Sequence, residues 1–228
     1  MKKFVQVSAA VAAMFTMAGA ASAAVFNDTI GDNFDGNAHM DIKSVEVTNT
    51  LTDITFKITT NGSIANPTDW GKYMIGIESV AGGDTGNPVG NPWGRNIRIA
   101  SGMDAWVGSW VDGGGGGAQP FTFNGSWTQN GQFVPVLGAD STTITVPLAS
   151  LNLIPGQGIS FDVYSGGGGG GDSANDALGN PGQTISDWQV PYDSGTQLLS
   201  YTLSVPEPAS MGFIGLGALS LIARRRRA

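Results

Sequence analysis

Short stretches in which apolar and polar residues alternate, each closed by Gly, Asn, Asp or Pro, set the strongest limit on what this chain can become. Nine such stretches run through it: Ile42–Val47, Asp53–Thr59, Lys72–Val80, Asn96–Ala100, Ala105–Val111, Phe121–Gln129, Thr142–Leu148, Ile159–Ser165 and Leu198–Leu203. A period of two is the signature of half-buried strands. In the second stretch it puts Ile54, Phe56 and Ile58 on one face. No apolar pattern of helical period interrupts the series, and only Leu148–Leu153 has room for a helical turn. Charged residues make up just 13% of the chain and Gly numbers 35, so the best helix formers are scarce where turn formers abound. The expected fold is all-β, an antiparallel β-sandwich of jelly-roll style occupying residues 24–204.

The two ends differ from this body. Met1-Lys2-Lys3, an apolar run from Phe4 to Ala20 and Ala21-Ser22-Ala23 form the three parts of a secretory signal peptide, residues 1–23, with cleavage expected after Ala23. At the other end Val205-Pro206-Glu207-Pro208 precedes an uncharged stretch, and Arg224, Arg225, Arg226 and Arg227 follow it. Pro208–Ala223 is 16 residues long, slightly under the roughly 17–25 that usually span a bilayer. Arginines reaching back to the headgroups make up such a shortfall, and as a stop-transfer cluster they hold that end in the cytoplasm. The expected frame is thus a signal-peptide helix, an exported body, and a segment 205–228 containing a transmembrane helix over 209–223.

The tripartite C-terminus resembles the PEP-CTERM sorting domain recognised by exosortases. The resemblance implies processing near Pro206-Glu207-Pro208 by a membrane-bound exosortase. It also implies passage through the inner membrane of a Gram-negative-type bacterium to the cell surface or an extracellular polysaccharide matrix. More thinly, the body looks like a DOMON-like or family 9 carbohydrate-binding β-sandwich. That likeness is carried by Asp28-Thr29-Ile30-Gly31-Asp32, by Trp70-Gly71-Lys72-Tyr73-Met74-Ile75-Gly76-Ile77, and by Ile144–Leu151 ahead of Ile159–Val163.

Charge narrows the partners. Between Ala24 and Val205 fall 17 of the 18 acidic residues but only five of the 11 basic ones, so the body carries −12 where the whole chain carries −7. Such a charge argues against nucleic acid or anionic lipid as a partner and favours divalent cations or neutral sugars. Without cysteine there is no disulfide framework. Asp28, Asp32, Asp35 and Asp41, with Asn33 and Asn37 among them, offer oxygen ligands of the kind Ca2+ takes, although not at EF-hand spacing. The competing reading is a loop held by Asx-turns. Asp172 and Asp176 are a weaker candidate pair.

Six tryptophans are many for such a body. Trp106 and Trp110 flank Gly108 at strand spacing and leave a trough between them, while Trp93 lies in a loop. These three are the candidate platform for extracellular polysaccharide, against the alternative of core packing. The glycine runs Gly113–Gly117 and Gly166–Gly171 lack the strand-to-helix context of a phosphate cradle and are expected as long loops. No catalytic set stands out, and the lone His39 is expected to be exposed and inert. The resulting expectation is a non-enzymatic surface or matrix protein; the alternative is a secreted hydrolase of polysaccharide.

Overall fold

A computed structural model describes residues 23–64, 70–86, 90–112, 116–179, 185–195 and 197–205. Fourteen strands occur among them: β1 (Ala23–Asn27), β2 (Ile42–Asn49), β3 (Asp53–Thr60), β4 (Lys72–Glu78), β5 (Ile97–Arg98), β6 (Ala105–Trp110), β7 (Gly117–Phe123), β8 (Trp127–Gln129), β9 (Val136–Leu137), β10 (Ser141–Pro147), β11 (Gly158–Gly166), β12 (Asp176–Ala177), β13 (Tyr192–Asp193) and β14 (Leu199–Thr202). The helical content is two 3₁₀ turns, Ala38–Met40 and Leu148–Leu151. Among the described residues no helix is long and apolar enough to cross a membrane. The expected signal-peptide helix and transmembrane segment 209–223 lie outside the described residues.

Two antiparallel sheets face each other. One runs β1-β2-β3-β10-β9; the other runs β12-β11-β4-β6-β7-β8, with β14 beside β12 on the same edge of β11. The alternation in β3 does what its period requires. Phe56 stands between Val47 and Ile144, Ile58 between Val45 and Thr142, and all point inward. They meet Tyr73, Ile75 and Ile77 of β4, Val107 of β6, and Phe161 and Val163 of β11. Phe161 takes Phe26 and Phe56 edge-on, at 5.3 and 5.8 Å between centroids.

The second sheet is not half-buried. Tyr73 to Ile77 are all buried, because the outer face carries a second core of Met74, Trp106, Tyr164, Ile97, Ile99, Met103 and Tyr192. The cover comes from the segments around β5 and β13, which pair in parallel as a two-stranded ribbon. A sheet buried on both faces reads as continuous apolar sequence, and Tyr73-Met74-Ile75-Gly76-Ile77 is such a run.

Two expected strands change. Phe121–Gln129 is two strands, β7 and β8, joined through Asn124-Gly125-Ser126, with Gly125 at a φ of +76°. An Asn-Gly pair between strand-like segments is the usual hairpin signal. Asn96–Ala100 shortens to β5, whose partner β13 lies 95 residues later and is too short to show a period.

Candidate functional site

Three carboxylates meet where the chain leaving β1 passes β12. Asp28, Asp32 and Asp176 each place one oxygen within 4.8 Å of the others. Asp176 is fixed by Ile42 N–H and Ala177 N–H at 2.6 and 2.8 Å. Asp28 accepts from Thr29 N–H at 2.8 Å, and its other oxygen is buried without a protein donor. Burial pushes the Asp28 carboxyl up to about 7 and that of Asp176 up to about 8, and the neighbouring carboxylates add to both. Asp32 is raised as well, chiefly by burial. A divalent cation would relieve this desolvation and repulsion together. Three carboxylates would supply part of the six to eight oxygens that calcium takes.

The other two candidate ligands stand apart from this group. Asp35 closes an Asx-turn, accepting from Asn37 N–H at 3.0 Å and from the side chains of Asn33 and Asn37. Buried Asp41 accepts Gly31 N–H with both oxygens at 3.0 Å and the Asn61 amide at 3.0 Å, which shapes the turn leading to Asp32. The residues that the sequence presents as one cluster divide between an Asx-turn at Asp35 and a grouping of carboxylates at Asp28, Asp32 and Asp176. Asp172 pairs instead with Arg95, at 3.7 Å.

The three candidate tryptophans come together, but as packing. Trp93 lays its ring over Gly108, so closely that a Cβ there would sit 2.1 Å from Cζ2. It fills the trough between Trp106 and Trp110, at 6.3 Å from each. Trp106 is fully buried and stacks on Tyr164 at 6.2 Å. Trp110 covers Gly117 in the same way. Arg95, over the Trp93 ring at 5.8 Å, donates to Gly169 O at 2.6 Å.

An open aromatic surface exists elsewhere. Trp70, 39% exposed, and half-buried Trp188 face each other at 5.7 Å with their planes tilted by 52°. Phe34 backs Trp188 edge-on at 4.7 Å, and His39 backs Trp70 at 5.9 Å. His39 is therefore half-buried packing and not a free ring. Gly167 makes the approach possible, since a Cβ there would lie 2.9 Å from Trp70 and 3.0 Å from Trp188. The two rings line a cleft of about 680 Å³ with Asp35, Asn37, Asp172, Asp187, Gln189 and the backbone of Gly168 and Gly169. The second glycine run is thus a wall of this cleft; Gly113–Gly115 of the first lie outside the described residues. Nothing in local sequence joins Trp70 to Trp188, or Asp28 to Asp176, because each pair is brought together by strand order across more than 100 residues.

Residues 204–227 match the PEP-CTERM protein-sorting motif. No curated protein matches the chain. The sorting signal of an exosortase substrate therefore ends this sequence, and with it the protein is one that is exported, passes the membrane and reaches the cell surface. Of the matched residues, Ser204 and Val205 are among those described, with Val205 exposed at the close of the body; Pro206, Glu207, Pro208 and Arg224–Arg227 lie outside them.

Proposed function

We propose that the body is a non-enzymatic surface or matrix module that binds neutral exopolysaccharide, seating sugar rings between Trp70 and Trp188. The cleft between these rings is the observation that carries the reading. Two indoles present apolar faces to the apolar faces of a pyranose, while carboxylate, amide and backbone groups around them match its hydroxyls. The carboxylates at the cleft suit orientation more than proton transfer. Asp172 is engaged by Gly169 N–H and Arg95, and Asp35 by its own turn. Calcium is retained in the proposal with a changed ligand set, Asp28, Asp32 and Asp176, where it would steady the loop beside the cleft.

Binding isotherms against a panel of neutral polysaccharides test this reading. Trp70→Ala and Trp188→Ala should each weaken binding about tenfold, corresponding to about 1.4 kcal/mol of lost stacking. The same panel followed for glycan cleavage distinguishes the hydrolase alternative. Turnover that disappears with Asp172→Asn or Asp187→Asn would replace the binding reading, and no binding to any glycan would end it.

A further inference from the structure

Both points at which the described body continues into its terminal segments lie beside one strand end. β1 starts at Ala23, paired with Thr48, and β2 ends one residue later at Asn49. The body's last residues pass the same place. Asn49, only 3% exposed, accepts from Ser204 N–H and Ser204 Oγ, both at 2.9 Å, and from Tyr201 OH at 2.8 Å. Its amide donates to Thr50 O at 2.7 Å and Ser204 O at 3.4 Å. Asn49 belongs to the first sheet and Tyr201 lies in β14 of the second, so this side chain ties the two sheets across the mouth of the sandwich. One strand-pairing step, one residue step and one side-chain reach keep the Cα atoms of Ala23 and Ser204 within about 15 Å.

The surface around this mouth is one of two uncharged areas of the described body, the other being segment 116–139, where Val134 and Val136 are exposed. Segments 48–52, 147–157 and 203–205 contain no charged residue, in a body that carries 17 acidic ones. Leu51, Ile154 and Val205 expose 52, 66 and 61% of their surface there. Three carboxylates rim the area, each hydrogen-bonded: Asp53 by Thr52 Oγ1 at 2.5 Å, Asp104 by Ser79 and Val80 N–H at 2.7 and 2.9 Å, and Glu78 by Ser101 Oγ at 2.6 Å. An acidic body is repelled least by an anionic lipid surface over an uncharged, partly apolar area, and of the two such areas this is the one where both ends of the body lie. The expected signal peptidase cut and the sorting motif both adjoin that area.

We propose that this end of the sandwich faces the lipid surface while the chain is attached, and that Asn49 holds Ser204 in place where the sorting segment begins. The folded body then stands on the membrane by one end, presenting the chain beyond Val205 to a membrane-embedded peptidase and keeping Ser204 and everything before it out of reach. Asn49 is a positioning residue. The proposal rests on the sorting motif and not on sugar binding, so a failed glycan panel leaves it intact.

Because the chain has no cysteine, single introduced thiols report position without background. Leu51→Cys, Ile154→Cys and, at the opposite end, Asp140→Cys would each carry a fluorophore on the full chain in phosphatidylethanolamine–phosphatidylglycerol vesicles. Headgroup-attached quenchers should quench the first two several-fold more than the third; equal or reversed quenching overturns the orientation. For Asn49, the mature C-terminus is read by intact mass after co-production with exosortase. The wild-type protein should end at or beyond Val205 and Asn49→Ala should give ends scattered upstream of Ser204. Wild-type ends upstream of Ser204, or an unchanged end in the variant, overturn its role.

Discussion

At the scale of single residues, two glycines decide where the indoles go. Gly108 admits Trp93 onto the sheet and Gly167 lets Trp70 and Trp188 close over a strand end. Neither glycine has a positive φ; what matters at both is the missing Cβ. Gly108→Ala should displace the Trp93 ring and cost on the order of 1–3 kcal/mol through overpacking. Urea denaturation would measure this loss, and the tryptophan emission should shift to the red as Trp93 is wetted. An unchanged midpoint and spectrum would mean that the ring does not sit on Gly108. The sequence exposes Trp106, Gly108 and Trp110 as one face, and that face exists. It does not reveal that a loop residue thirteen or more positions earlier fills the gap, because no local period links a loop to the strand it covers.

Among elements, β12 shows how a two-residue strand can matter. It brings Asp176 to the chain after β1 and lies on an edge of β11 that it shares with β14. A cation bound by Asp28, Asp32 and Asp176 would fasten β12 to that chain. Calcium should therefore raise the melting temperature by several degrees, since about 1 kcal/mol moves Tm by about 2–4 °C in a domain of this size. Differential scanning calorimetry with calcium and with chelator measures the shift, and Asp176→Asn should abolish it. The longer strands were legible beforehand, because six to nine residues suffice to show a period of two. The short ones were not. β9, β12 and β13 have two residues each, so their pairing is set by neighbours and not by their own pattern. β1 was hidden for a different reason: its first residue coincides with the end of the expected signal peptide. The cleft between Trp70 and Trp188 was legible only as composition, a surplus of tryptophan, because its two rings lie 118 residues apart in the chain.

At the scale of the whole molecule, the outer cover is attached through a buried acid. Asp162 of β11 is fully buried and accepts from Ser194 Oγ, Val163 N–H and Gly179 N–H, each at 2.7 Å. Ser194 spends its single proton on this carboxylate, so the Tyr164 hydroxyl must donate to Ser194, at 2.7 Å. Burial raises Asp162 from the ordinary 3.8 to about 6, against the opposing pull of those donors. Between about pH 4 and 6 Asp162 keeps in the folded protein a proton that it has lost in the unfolded chain, so its contribution to stability falls as pH rises through that window and levels off above it. The size of the fall is about 3 kcal/mol. Urea midpoints for wild type and Asp162→Asn, compared from pH 4 to 7, should fall less steeply in the variant up to about pH 6, where the raised Asp28, Asp32 and Asp176 remain to contribute; parallel profiles would remove Asp162 as a source of the slope.

Strand order also has a consequence in time. β3 finds one partner at once, in β2, but its other partner is β10, and Asp53 must wait for Pro147. A chain emerging from its N-terminus has released nearly two-thirds of its length before the five-stranded sheet can close. β11 must follow before β4 is paired on both sides, and β14 comes last of all. Pairings this distant place folding in the millisecond-to-second range. Neither sheet can therefore be completed from the first half of the body alone. The residues that complete the sandwich are the ones that lie just ahead of the sorting signal.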